Sequence, residues 1–176
     1  MDAAASRDFE QALRAGAYSA AWRYACRLTA SADDARELLQ DSLAHALTRF
    51  AQLRDPAAFK AWLLAIMRTR FLTALRARRL VVPLEGDLAG KLTVEQDTHP
   101  LGELVLGCLR ALPAAQREVL ELFYLEDLSL AELGRVLGVP AVAVRHRLHR
   151  AREALRRAVA RAQTTPALRG AGEELP

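Results

Sequence analysis

Within the stretch "VPAVAVRHRLHRAREALRRAV", Val139 to Val159, Arg145, His146, His149 and Arg150 stand between aliphatic residues at helical spacing. A guanidinium can donate two parallel hydrogen bonds to guanine or clamp a phosphate, and histidine can contact either. His146 and His149 are three residues apart, a spacing that also suits a metal. No cysteine or third histidine lies close in sequence, so no metal is expected there. The competing reading of the same charges is a solvated surface helix.

At 100° per residue, Val144, Leu148, Ala151, Leu155 and Val159 share an arc of about 80°. His146, Arg150 and Arg157 point the opposite way, with Arg145 and His149 on the flank between. The first two turns of that outward side hold no acid; Glu153 comes only beyond them. A helix built only for solubility usually interleaves acids at i,i+4 to its arginines. The DNA reading therefore leads.

The element that must position this helix lies just before it. Ser129 is a good N-cap, Leu130, Leu133, Val136 and Leu137 give a short amphipathic helix, and Gly138 can take the left-handed conformation that ends it. Short helix, glycine turn and longer helix make the outline of a helix-turn-helix, whose second helix lies in the major groove.

Apolar residues make up 52% of the 176, enough for a real core. Alanine, leucine and arginine dominate while β-branched and aromatic residues are sparse, so the expected fold class is all-α. The net charge is only +4, but its distribution says more. Five arginines and no acid lie between Arg68 and Arg79. Six arginines and two histidines against one acid lie between Arg145 and Arg157. Two basic stretches on predicted helices form a polyanion-binding footprint.

Cys26 and Cys108 lack metal spacing and read as small core hydrophobes. The N-terminus lacks a signal-peptide pattern, and no apolar run approaches the ~20 residues needed to span a bilayer. A cytoplasmic protein without membrane insertion is expected. The sequence has no phosphate-binding glycine loop and no histidine placed beside a nucleophile. No enzymatic activity, cofactor or small-molecule substrate is expected.

The punctuation divides the chain. Phe9 to Ala15 and Tyr18 to Leu28 read as one or two helices. Ser31 and Asp34 cap a helix running to about Phe50, and Asp55 with Pro56 opens a long one from Ala57 to about Arg78. The pattern then collapses over residues 80–100, which hold two prolines and two glycines. Helices follow at Leu101 to Leu112, Pro113 to about Leu125, Leu130 to Leu137 and Ala141 to about Ala162. The expectation is two small helical domains, 1–80 and 101–162, joined by a flexible linker over 81–100. A disordered tail is expected over 163–176.

The stretch "LPAAQREVLELFYLEDLSLAELGRVLGVPAVAVRHRLHRAREAL" resembles region four of bacterial RNA polymerase sigma factors, above all the extracytoplasmic-function group. In the N-terminal half, "DDARELLQDSLAHAL" resembles the family's clamp-binding helix. "FKAWLLAIMRTRFLTALRARR" resembles its −10 helix. The resemblance covers most of residues 8 to 160, in the family's order.

This resemblance implies a dissociable subunit that binds core RNA polymerase and directs it to promoter DNA, with an anti-sigma protein as regulator. It places the −35 contacts at Arg145, His146, His149 and Arg150, and the polymerase contacts at Glu37, Gln40 and Asp41. For the −10 element it points to Arg68, Thr69, Arg70, Thr73 and Arg76. Arg54 and Lys60, in and after the loop "AQLRDP", would hold flanking phosphates. Many family members carry Asn and Asp where this chain has Thr69 and Thr73. Val142 and Ala143 replace the usual glycine and threonine.

For Glu37 and Asp41 the residues alone favour a solvated face, with Asp41 paired to His45. Phe59 and Trp62 read as packing residues rather than base-stacking surfaces. Two other functions remain open: a sigma-like decoy that titrates an anti-sigma protein, and a helix-turn-helix repressor.

Overall fold

The computed structural model describes the backbone of residues 3–81 and 100–169 and the side chains of 6–77 and 102–164. Among the described residues every regular element is helical. The order is α1 (Ala3–Ala12), α2 (Tyr18–Leu28), α3 (Ala32–Arg49), α4 (Phe59–Val81), α5 (Pro100–Arg110), α6 (Ala114–Tyr124), α7 (Leu130–Leu137) and α8 (Ala141–Arg169). The linker expected over 81–100 falls almost wholly outside the described residues.

The chain divides into two compact units that interleave in sequence. The first comprises Met1–Val94 with Leu128–Ala141, the second Glu95–Asp127 with Val142–Pro176. The expected division followed chain order. Instead α7 belongs with the N-terminal helices, because it packs on α4.

In the first unit each helix start has a local cause. Gly16, at φ +99°, makes the kink between α1 and α2, a conformation that L-residues avoid. Ser31 caps α3: its Oγ accepts from the Asp34 N–H at 3.0 Å and donates to the Asp34 carboxylate at 2.7 Å. Asp55 Oδ1 accepts from the Ala57 N–H at 3.0 Å, and Pro56 pre-sets the 3₁₀ turn that leads into α4.

Those starts aim apolar faces inward. Tyr24, Leu63, Leu64 and Met67 are fully buried. Phe9, Phe50 and Phe59 meet edge to face with centroids 5.3–5.7 Å apart. Trp62 tilts against Phe59 at 6.1 Å. Along α4, Phe59, Leu63 and Met67 are buried, whereas Ile66, Phe71 and Leu75 are only half-buried.

Ser129 opens α7 with a reciprocal capping box. Its Oγ accepts from the Glu132 N–H at 3.3 Å, and its own N–H donates to the Glu132 carboxylate at 2.8 Å. The Ser129 hydrogen bonds hold the Glu132 carboxyl below its ordinary range, aided by the charges of Lys60 and Arg135. Gly138 ends α7 at φ +67°. A Cβ on Gly134 would lie 2.8 Å from the Val139 carbonyl oxygen, so the turn into α8 closes only over a glycine.

In the second unit, which contains α5, α6 and α8, Cys108, Leu112, Val119, Leu120, Leu122, Val144, Leu148 and Ala151 are buried. Arg152 serves that packing. Its guanidinium lies 5.2 Å over the Phe123 ring, and its Nε donates to the Tyr124 hydroxyl at 2.9 Å. The last helix runs on to Arg169, past Ala162 and into the tail expected to be disordered. Thr164 donates from Oγ1 to the Ala160 carbonyl at 2.9 Å within it.

Candidate nucleic-acid interface

Orientation of α8 comes from Val144, Leu148 and Ala151, which are 0%, 3% and 0% exposed. With that stripe inward, Arg145, His146, His149 and Arg150 all stand exposed, as does Arg147. Among the described residues no hydrogen bond or ion pair engages the first four. The first acid on the helix, Glu153, is bound by Arg156. The first three turns of α8 therefore present a row of unneutralised donors on a rigid helix. Phosphate and base edges are what such donors bind.

A second basic face lies on α4 and differs in its partners. Arg70 Nη2 donates to Asp41 Oδ2 of α3 at 2.9 Å, so Asp41 pairs with Arg70 rather than with His45. Glu37 and Gln40 are exposed on the same helix. Two residues expected in separate roles, one toward the polymerase and one toward DNA, thus share an ion pair. Lys60 lies near enough to Glu132 to act on its titration. Arg54 is exposed in the connection between α3 and α4.

Thr69 and Thr73 are exposed, and each hydroxyl donates back along the helix. The Thr69 Oγ1 reaches the Ala65 carbonyl and the Thr73 Oγ1 the Thr69 carbonyl, both at 2.9 Å. Arg76 is exposed one turn further on, and Arg68 is half-buried. Beside this face a groove of about 550 Å³ runs between α3 and α4, floored by Leu38, Phe71 and Leu75 and edged by Glu37 and Asp41. The groove explains why Phe71 and Leu75 stay partly open.

Sequence reasoning missed two features. The Asp41–Arg70 pair spans 29 residues and carries no local signal. Arg152 was legible in principle. It sits four residues after Leu148, only 40° round the helix from it, at the edge of the buried stripe. Among the described residues no three His, Cys, Asp or Glu side chains gather as a metal site, and no helix is long and apolar enough to cross a membrane.

Residues 16–81 match the family model described as Sigma-70 region 2, and residues 102–155 the one described as Sigma-70, region 4. The chain is similar to the ECF RNA polymerase sigma factor SigL of Mycobacterium tuberculosis, 33% identical over 143 residues that cover 77% of this chain and 80% of the relative. It is also similar to the probable RNA polymerase sigma factor RfaY of Xanthomonas campestris, 32% identical over 143 residues. That match covers 75% of this chain but only 36% of the longer relative. Among solved structures its fold is like that of the sigma factor RpoE in complex with the anti-sigma factor NepR from Bartonella quintana. The TM-score is 0.71 at 24% identity, over 87% of this chain and 97% of that one.

Proposed function

The chain belongs to the extracytoplasmic-function group of RNA polymerase sigma factors, and from that premise we propose that it binds core RNA polymerase and directs it to promoters. The observation that carries the DNA half of this reading is the outward face of α8. Its donors are exposed, and its orientation is held by buried Val144, Leu148 and Ala151. In this reading Arg145, His146, His149 and Arg150 contact the −35 element. Glu37, Gln40 and Asp41 face the polymerase.

The −10 element falls to Arg68, Thr69, Arg70, Thr73 and Arg76, with Arg54 and Lys60 on flanking phosphates. Residues 1–80 then serve the polymerase and the −10 element, and 101–162 the −35 element. The protein works in the cytoplasm as a binding subunit without chemistry of its own. An anti-sigma protein is its proposed regulator, on the support of the relative solved in such a complex.

Run-off transcription with purified core polymerase tests this reading. Promoter-dependent transcripts that require the added chain are expected. A chain that captures an anti-sigma protein yet gives no transcript from any template would act as a decoy. A chain that binds DNA but not the polymerase would be a repressor.

A further inference from the structure

Thr69 and Thr73 stand one turn apart on α4, roughly 6 Å along its axis. A threonine hydroxyl has one proton, and here both protons are spent on carbonyls four residues back. Each oxygen is thereby drawn against the helix backbone, and the γ-methyl becomes the outward group. Arg76 follows Thr73 by three residues, so the three side chains form one i, i+4, i+7 stripe. All three are exposed, on the side of α4 opposite buried Leu63 and Met67. On the same helix pair Asp41 is engaged by Arg70, while Glu37 lines the groove that Thr69 and Thr73 also border.

We propose that Thr69 and Thr73 select thymine in the −10 element by methyl contact, with Arg76 holding a neighbouring phosphate. This rests on the reading of α4 as the −10 helix. A side-chain amide or carboxylate at these positions would choose a base by hydrogen bonding. Two threonines whose protons are committed have no donor to offer. A threonine methyl packs well against the C5 methyl of thymine. An acceptor edge such as guanine O6 and N7 would lose water there without gaining a donor.

The test uses holoenzyme reconstituted from this full-length chain and core polymerase. Templates carry a randomised −10 segment, each linked to a known barcode downstream of the start site, and the barcodes of the run-off transcripts are sequenced. Thymine should be enriched at one or two positions. Thr69→Val and Thr73→Val keep the methyl and should keep that enrichment; Thr69→Ser and Thr73→Ser lose the methyl and should lose it.

On the selected sequence, deoxyuridine in place of thymidine should lower wild-type initiation about fourfold, the effect of one buried methyl-sized group. The serine variants should not notice the change. Enrichment kept by serine but lost by valine would mean that the hydroxyl reads the base, and equal enrichment in all variants would mean that neither threonine does. Either result overturns the proposal. Absence of any transcript with the wild type would instead remove the sigma reading beneath it, and this proposal with it.

Discussion

On α8, Arg145, His146, His149 and Arg150 are exposed and unengaged among the described residues, whereas on α4 Arg70 is joined to Asp41 and Lys60 acts on Glu132. Both stretches look alike as lists of arginines. They differ in where the acids are. The first acid on α8 lies beyond the basic face, on Glu153, while α4 has acidic α3 alongside it. A free guanidinium meets phosphate with only desolvation against it. A paired one must first exchange partners, at a cost of at most about 1 kcal/mol when the pair is exposed. On the proposed reading the α8 face is open to DNA as it stands, whereas Arg70 on α4 must first leave Asp41.

If α8 is the open face, its arginines should show the largest effects. Arg145→Ala and Arg150→Ala should each cost about 1–3 kcal/mol on the cognate −35 sequence where the side chain grips guanine bidentately. Losses on scrambled DNA should be much smaller. Holoenzyme is the right probe, since α7 packs on α4 and a C-terminal fragment would leave that face uncovered. Equal losses on both DNAs would reduce α8 to a phosphate clamp and bring it level with α4.

Chemistry acting within four residues was legible in the sequence. Ser31, Asp55 and Ser129 announced their helices, and Gly138 ended one, because each cap is settled by its own neighbours. The inward stripe of α8 was legible too, since Val144, Leu148 and Ala151 are the buried members of a 3.6-residue period. The continuation of α8 to Arg169 was not, because Gln163 and Thr164 break the apolar period without breaking the helix. Partners far apart in the chain were hidden for a different reason. Nothing near Asp41 indicates Arg70, and nothing near Leu130 to Leu137 indicates α4, until the tertiary fold brings them together.

A smaller effect is expected at the cap of α7, the helix that lies on α4. Ser129→Ala should cost about 1 kcal/mol in thermal unfolding at neutral pH. Glu132 adds a pH signature. Its carboxyl titrates below its unfolded value, so its stabilisation is complete above about pH 4.3 and disappears as pH falls through the lower folded value. The advantage of wild type over Glu132→Gln should therefore be present at pH 7 and shrink as pH falls below the ordinary carboxylate range. A gap unchanged by that fall in pH would place the stabilisation in packing rather than charge.

The smallest effect, on stability, belongs to the Asp41–Arg70 pair itself. Its side chains are 61% and 35% exposed, so water and salt screen most of the attraction. A double-mutant cycle with Asp41→Asn and Arg70→Gln should give a coupling of about 0.2–1 kcal/mol, shrinking as salt rises. Core-polymerase pulldown adds the functional arm. Glu37→Lys leaves the pair intact and should weaken core binding about tenfold if the acidic face of α3 docks on basic residues, since like charges across an interface repel. Asp41→Lys should weaken core binding as well, and it also sets a second cation against Arg70. A coupling above about 2 kcal/mol, insensitive to salt, would mean that Arg70 is held too firmly to be recruited by DNA. The −10 reading of α4 would then rest on Arg76 and the two threonines alone.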